Sequence, residues 1–183
     1  MKIAILGKVP KGDIARESFQ DWKQEYLTKI QETLPEASVL HGDHIRDDVG
    51  SELVVGHDIW TVKNADIVIV DAREKIGAGT AQEMLMAKHF KRPLVAVIPK
   101  ETHYRKSNLV FNGTAIKDWI HPFLEITSDY VAADIQEAVE WIKKFSEGSI
   151  QQTVKGIDVM ETAVKRFEKD MPDVVAHYKS QGW

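Results

Sequence analysis

Residues 66–71 read Asp66-Ile67-Val68-Ile69-Val70-Asp71. Four consecutive β-branched apolar residues lie between two acids, so the run has no polar face. A strand with this pattern is covered on both sides, as in a parallel sheet flanked by helices. A second such run, Pro93-Leu94-Val95-Ala96-Val97-Ile98, follows it. The stretch between them has helical periodicity over about residues 80–90. Strand, helix and parallel strand make a unit whose crossover is right-handed.

Outward from this unit, residues 2–6 and 37–40 add two apolar runs upstream, and residues 123–127 add a fifth downstream. Phe19, Trp22, Tyr26, Ile30 and Leu34 recur at three- and four-residue steps and predict one helix over about 13–34. Val54, Val55, Ile59 and Val62 mark a second helix, opened near 47–51. Ile135, Val139 and Ile142 share a face of another, over about 133–145. The alternation predicts an α/β protein with a doubly wound, five-stranded parallel sheet. Ser146-Glu147-Gly148-Ser149 reads as a boundary between a catalytic domain, residues 1–146, and a helical tail, residues 147–183. In the tail Val154, Ile157, Met160, Val164 and Phe167 keep helical spacing. It is expected to pack on the core or to exchange between subunits.

Composition narrows the function. The chain has 183 residues, 43% of them hydrophobic, enough for one domain with a proper core. Its 24 basic and 28 acidic residues leave a net charge of -4, which argues against a general nucleic-acid surface but not against one small anion in a basic pocket. Cysteine is absent, which excludes disulfides, thiolate metal sites and a thiol nucleophile. No apolar run approaches the roughly 18 residues of a membrane helix. The N-terminus opens directly into Lys2-Ile3-Ala4-Ile5-Leu6 without a signal-peptide pattern, so a cytoplasmic protein is expected. His41, Asp43, His44 and His57 lack the spacing of a zinc site and are expected to be solvated or hydrogen-bonded. No metal or cofactor is called for.

In open α/β sheets ligands bind beyond the carboxyl ends of the strands, where strand order reverses. After the first strand comes Gly7-Lys8-Val9-Pro10-Lys11-Gly12-Asp13. Gly7 and Gly12 allow close backbone approach, and Lys8 and Lys11 supply positive charge. Asp13-Ile14 stands where a P-loop needs Lys-Ser/Thr, and the glycines do not form GxGxxG. The segment reads either as a phosphate or ribose cradle or as a loop with solvated lysines. After the third strand comes Gly77-Ala78-Gly79-Thr80-Ala81-Gln82-Glu83. Gly77 and Gly79 admit a substrate near the backbone. Thr80 and Glu83 have the spacing of a helix capping box, which competes with a catalytic role for Glu83. Asp58 falls among Val54, Val55 and Val62, off a fully solvated face, and Asp71 is placed to face the cleft. Trp22 suits either the core or stacking on a base. Trp60, Trp119 and Trp141 suit core or interface. His103, Tyr104 and Arg105 suit a surface, an interface or a base pocket.

Asp58, then Ala65-Asp66-Ile67-Val68-Ile69-Val70, then Gly79-Thr80-Ala81-Gln82-Glu83-Met84 and Ala87, resembles the nucleoside 2-deoxyribosyltransferase superfamily. That group includes the 2′-deoxynucleoside 5′-monophosphate N-hydrolases. The resemblance runs from the first strand to about Phe145. It implies a flavodoxin-like strand order, a glutamate at Glu83 that attacks the anomeric carbon, and a carboxylate at Asp58 that helps the base depart. Water or a second base then resolves the glycosyl-enzyme. The chemistry is coherent: a carboxylate stabilises and captures an oxocarbenium-like carbon, and an acid protonates the leaving nitrogen.

Transferases of the superfamily usually carry Asp six residues before the nucleophile, against the 5′-hydroxyl, and the monophosphate hydrolases tend to carry Ser. This chain has Gly77, which removes repulsion toward a 5′-phosphate. Ala4 stands near the superfamily's strand-one tyrosine. Ser107-Asn108-Leu109-Val110 resembles the segment that reaches into the neighbouring subunit's site, which implies a homodimer or higher homo-oligomer with Ser107 and Asn108 near substrate. The leading expectation is an N-glycosidase of nucleoside 5′-monophosphates. Base exchange between nucleosides, a non-catalytic nucleotide sensor and a glycohydrolase of NAD-like dinucleotides are the alternatives.

Overall fold

A computed structural model of the chain describes residues 1–17, 19–42 and 47–183. In chain order its elements are β1 (Lys2–Leu6), α1 (Asp13–Glu17), α2 (Lys23–Thr33), β2 (Ser38–Leu40), α3 (Ser51–Asn64), β3 (Ile67–Asp71), α4 (Ala78–His89) and β4 (Leu94–Val97). There follow β5 (Arg105–Phe111), β6 (Thr114–Ile120), α5 (Pro122–Thr127), β7 (Tyr130–Ala132), α6 (Ile135–Ser146), α7 (Val159–Asp170) and α8 (Pro172–Ser180). Five strands form a parallel sheet in the order β2-β1-β3-β4-β7, the flavodoxin-like arrangement.

The all-apolar strands are buried on both faces. Ile3, Ile5, Ile67, Ile69, Val95 and Val97 meet Tyr26 and Ile30 of α2 and Val139 and Ile142 of α6 on one side. Ala4, Leu6, Val68, Val70, Leu94 and Ala96 meet Val62 of α3 and Met84 and Ala87 of α4 on the other. From β1 the chain turns outward to β2 and then returns to the other side of β1 as β3. A crevice therefore opens beyond the carboxyl ends of β1 and β3.

Three elements differ from the sequence expectation. The single helix over 13–34 is two helices. Trp22 Nε1 donates to the Lys8 carbonyl at 2.9 Å, and the Lys23 N–H donates to Asp21 Oδ1 at 3.0 Å, a turn that starts the second helix afresh. The apolar run 123–127 is not a strand but the helix α5. Pro122 presets its first turn, and its buried residues, Leu124 and Thr127, are three apart. The fifth strand is instead the three-residue β7, too short to show a period. Finally, β5 and β6 form an antiparallel hairpin after β4, where the sequence reading placed no strand. Asn112 and Gly113 both take positive φ (48° and 80°), and Asn-Gly between alternating strands is the sequence signal of such a turn.

The polypeptide beyond α6 first runs back along the body. The Lys155 N–H donates to Asp129 Oδ1 at 2.8 Å, and Lys155 Nζ reaches the Ser128 carbonyl at 2.6 Å. The Asp129 carboxylate also accepts Lys88 Nζ at 2.5 Å and the Leu94 N–H at 2.7 Å. Lys88 has no exposed surface, so this is a fully buried ion pair beneath α4. Helices α7 and α8 then bury no residue. No described helix is long and apolar enough to cross a membrane.

Candidate active site

A cavity of about 740 Å³ occupies the crevice between β1 and β3. Gly7, Lys8, Lys11 and Gly12 line it from the loop after β1, Asp58 from α3, and Gly77, Gly79, Thr80 and Glu83 from the start of α4. These nine expected residues come from three segments far apart in sequence and meet at one place.

The start of α4 carries no capping box. The helix begins at Ala78 with Gly77 as its N-cap and no side-chain cap, so Thr80 lies inside the helix rather than capping it. The Thr80 hydroxyl instead crosses the crevice and donates to the Gly7 carbonyl at 3.2 Å. Without a capping bond, the Glu83 carboxyl faces burial and a neighbouring acid. Burial first, and the charge of Asp58 second, push it up to about 7. Asp58 is half-buried, and its Oδ1 lies 3.1 Å from His57 Nδ1.

On the opposite wall, Trp22 closes over the turn after β1. A Cβ at Gly7 would lie 2.6 Å from Trp22 Cζ2, so only glycine admits the ring there. Trp22 thus both lines the cavity and packs edge-on against the buried Tyr26. Arg16, Lys23, Gly42 and Asp48 also line the cavity and were not anticipated. Lys8, Lys11, Arg16 and Lys23 follow β1, whereas Asp48, Asp58 and Glu83 come from later elements. The basic side chains thus come from one stretch of chain and the acidic ones from others.

Three expected residues lie outside the cavity lining. Asp71 sits behind Gly7, with its carboxylate held by Arg73 Nε at 3.0 Å and by the Arg73 N–H at 3.1 Å. Arg73 bridges onward to Glu25 at 2.7 Å. Ser107 and Asn108 lie on β5, and the Ser107 N–H donates to Glu101 at 2.9 Å. Of the four residues weighed as a metal cluster, Asp43 and His44 lie outside the described residues. Among the described residues no group of three or more His, Asp or Glu side chains is placed to hold a metal ion.

No protein-family model matches the chain, and no curated protein matches it. Solved structures do. A conserved protein from Enterococcus faecalis V583 is similar over 79% of this chain and 98% of its own, with a TM-score of 0.55 and 15% identity. The CMP N-glycosidase BcmB of Clostridium botulinum is similar over 78% of this chain and 98% of its own, with a TM-score of 0.44 and 12% identity. At this level the likeness to the first establishes the shared fold.

Proposed function

We propose that the chain is an N-glycosidase that releases the base from a nucleoside 5′-monophosphate, with Glu83 as nucleophile and Asp58 as its partner. The observation that carries this reading is the pairing of Glu83 and Asp58 in one cavity, with the Glu83 carboxyl pushed up to about 7. Two carboxyls that oppose each other's ionisation hold a proton near neutral pH that a leaving group needs.

In the proposed reaction that proton passes from Glu83 through the Asp58 carboxylate to a ring nitrogen of the departing base. Its loss leaves Glu83 ionised. As the C1′–N bond breaks, a Glu83 oxygen bonds to C1′ and forms a glycosyl ester. Asp58 then takes a proton from water, whose oxygen attacks C1′ and releases Glu83 and the sugar phosphate. Lys8, Lys11 and the backbone of Gly7 and Gly12 hold the 5′-phosphate at the cationic wall. Gly77 and Gly79 let the sugar lie against the start of α4. The lack of a side chain at Gly77 favours a phosphorylated substrate over a free nucleoside.

In the proposed homodimer Ser107 and Asn108 approach the neighbouring site. Val110 and Phe111 at the hairpin tip, 63% and 52% exposed, supply an apolar patch for that contact. Sedimentation of the intact chain tests this, and a monomer at all concentrations removes it.

The enzymatic reading is tested by base release from a panel of nucleosides and 5′-monophosphates, with Glu83→Gln alongside. Release from monophosphates, abolished in the variant, is the expected result. Exchange of bases between free nucleosides points to a transferase. Binding without any release leaves a nucleotide sensor.

A further inference from the structure

Asp58 shares the cavity with Glu83, and a neighbouring ring holds its carboxylate. His57 Nδ1 lies 3.1 Å from Asp58 Oδ1, and the two side chains are 17% and 32% exposed. Among the described residues this is the only hydrogen bond to the Asp58 carboxylate. Gly42 lies near the same oxygen: a Cβ there would stand 3.8 Å from Oδ1. Asp58 and Gly42 line the cavity, whereas His57 does not.

Consecutive residues of a helix do not face each other, so this contact on α3 needs both side chains turned toward one another. An aspartate carboxyl swings broadly about its terminal torsion. A hydrogen bond to one of its oxygens fixes the plane of the group. An ionised carboxylate only accepts, so the proton of this bond lies on Nδ1. The neutral Nδ1–H tautomer and the imidazolium both supply it, so the donor persists whichever charge the ring carries. The carboxylate in turn selects that tautomer.

We infer that His57 is the positioning residue of Asp58: its Nδ1–H holds Oδ1 and leaves Oδ2 for proton transfer between Glu83 and the departing base. This rests on the glycosidase reading for the reaction, though not for the contact itself. A carboxylate that relays a proton must meet donor and acceptor in line, and a third group that orients it supplies that alignment. His57 touches no reacting atom in this scheme. Its loss is therefore expected to appear in kcat and to spare KM, because the contacts to sugar and phosphate are untouched. The test is steady-state base release by the native chain, His57→Phe and His57→Asn. Phenylalanine fills the space without a donor, and kcat should fall roughly 10- to 100-fold with KM little changed. Asparagine places an amide N–H near the position of Nδ1 and should recover most of the loss. An unchanged kcat in His57→Phe overturns the inference. So does an asparagine variant no better than the phenylalanine one, which marks a packing role.

Should the variants not fold, the native chain decides. NMR of 15N-labelled histidine at about pH 8, where an ordinary imidazole is neutral, is expected to show His57 as the Nδ1–H tautomer. Asp58→Ala should return it to Nε2–H, the form an unbound imidazole prefers. A native His57 that carries its proton on Nε2 overturns the proposal. If no substrate releases base, the glycosidase reading fails, and the tautomer still decides whether His57 holds Asp58.

Discussion

The Thr80 hydroxyl donates to the Gly7 carbonyl at 3.2 Å, which ties the helix bearing Glu83 to the cationic loop after β1. One bond thus holds two walls of the cavity in register. Thr80 is 6% exposed and Gly7 half-buried at the cavity wall, so the bond is partly buried. Thr80→Val keeps the shape and removes the donor. It is expected to cost about 1–2 kcal/mol of stability by urea unfolding, because a carbonyl is left without its partner. In the proposed reaction, base release should fall roughly 10- to 100-fold as Glu83 loses alignment with the sugar. Thr80→Ser should recover much of both.

Glu83 makes the protein less stable at alkaline pH. Its carboxyl titrates near 7 in the folded chain against an ordinary value of 4.5, so the folded state holds a proton that the unfolded state has released. Stability from this group is present below pH 4.5 and is lost as pH rises through about 7. Glu83→Gln cannot ionise and should be more stable than the native chain at pH 8 by about 3 kcal/mol. The gain should vanish below pH 4.5. Chemical denaturation of both chains across this range is the measurement, and equal stability at pH 8 would show that the carboxyl is not raised.

The same proton sets the pH dependence of the proposed reaction. Rate should fall as pH rises above about 7, because the pair then lacks the proton it gives to the base. Asp58→Asn removes the charge that is the second cause of the Glu83 shift. Carbon-13 NMR of labelled glutamate should place the Glu83 titration lower in that variant, yet still above an ordinary carboxyl, since burial remains.

The buried Lys88–Asp129 pair lies outside the cavity lining. Asp129→Asn leaves a buried ammonium without its counter-charge and weakens the acceptor for Leu94 and Lys155. A loss of about 3–5 kcal/mol is expected by denaturation. A loss below 1 kcal/mol would mean that Lys88 sheds its charge at little cost.

Two truncations should behave differently. Ending the chain after Ile157 removes α7 and α8, which bury no residue, and should change stability by less than about 1 kcal/mol. Ending it after Gly148 also removes Gln152 and Lys155, which bond Asp129 and its surroundings. That should cost about 2 kcal/mol or more, from several lost hydrogen bonds. Sedimentation of the first truncation also tests the tail in assembly: an unchanged oligomer frees α7 and α8 from that role.

The parallel sheet was legible in residues 66–71 and 93–98 because burial on both faces leaves a purely local mark, an unbroken apolar run. That Gly77 to Glu83 belongs with Asp58 was implied only by the family resemblance in the order of these residues, and the cavity brings them together. The hairpin at Asn112-Gly113 carried a local signal, Asn-Gly between alternating residues, that the sequence reading did not use. The break between α1 and α2 carried little, because apolar periodicity continues across it and the second helix starts afresh where Trp22 reaches back to Lys8.

The sequence by itself determined the fold class and the glycine loops after the first and third strands, since each follows from residue type and short-range pattern, while Asp58 and Glu83 were singled out together only by the family resemblance. Only the tertiary structure decided that Thr80 spans the crevice rather than capping its helix, that Asp71 is held by Arg73, and that Lys23 is buried beside the cavity. The physical reason is common to all three. A side chain's burial and hydrogen-bond partner are set by whichever segment packs beside it, and here those segments are brought together by the crossovers of the sheet.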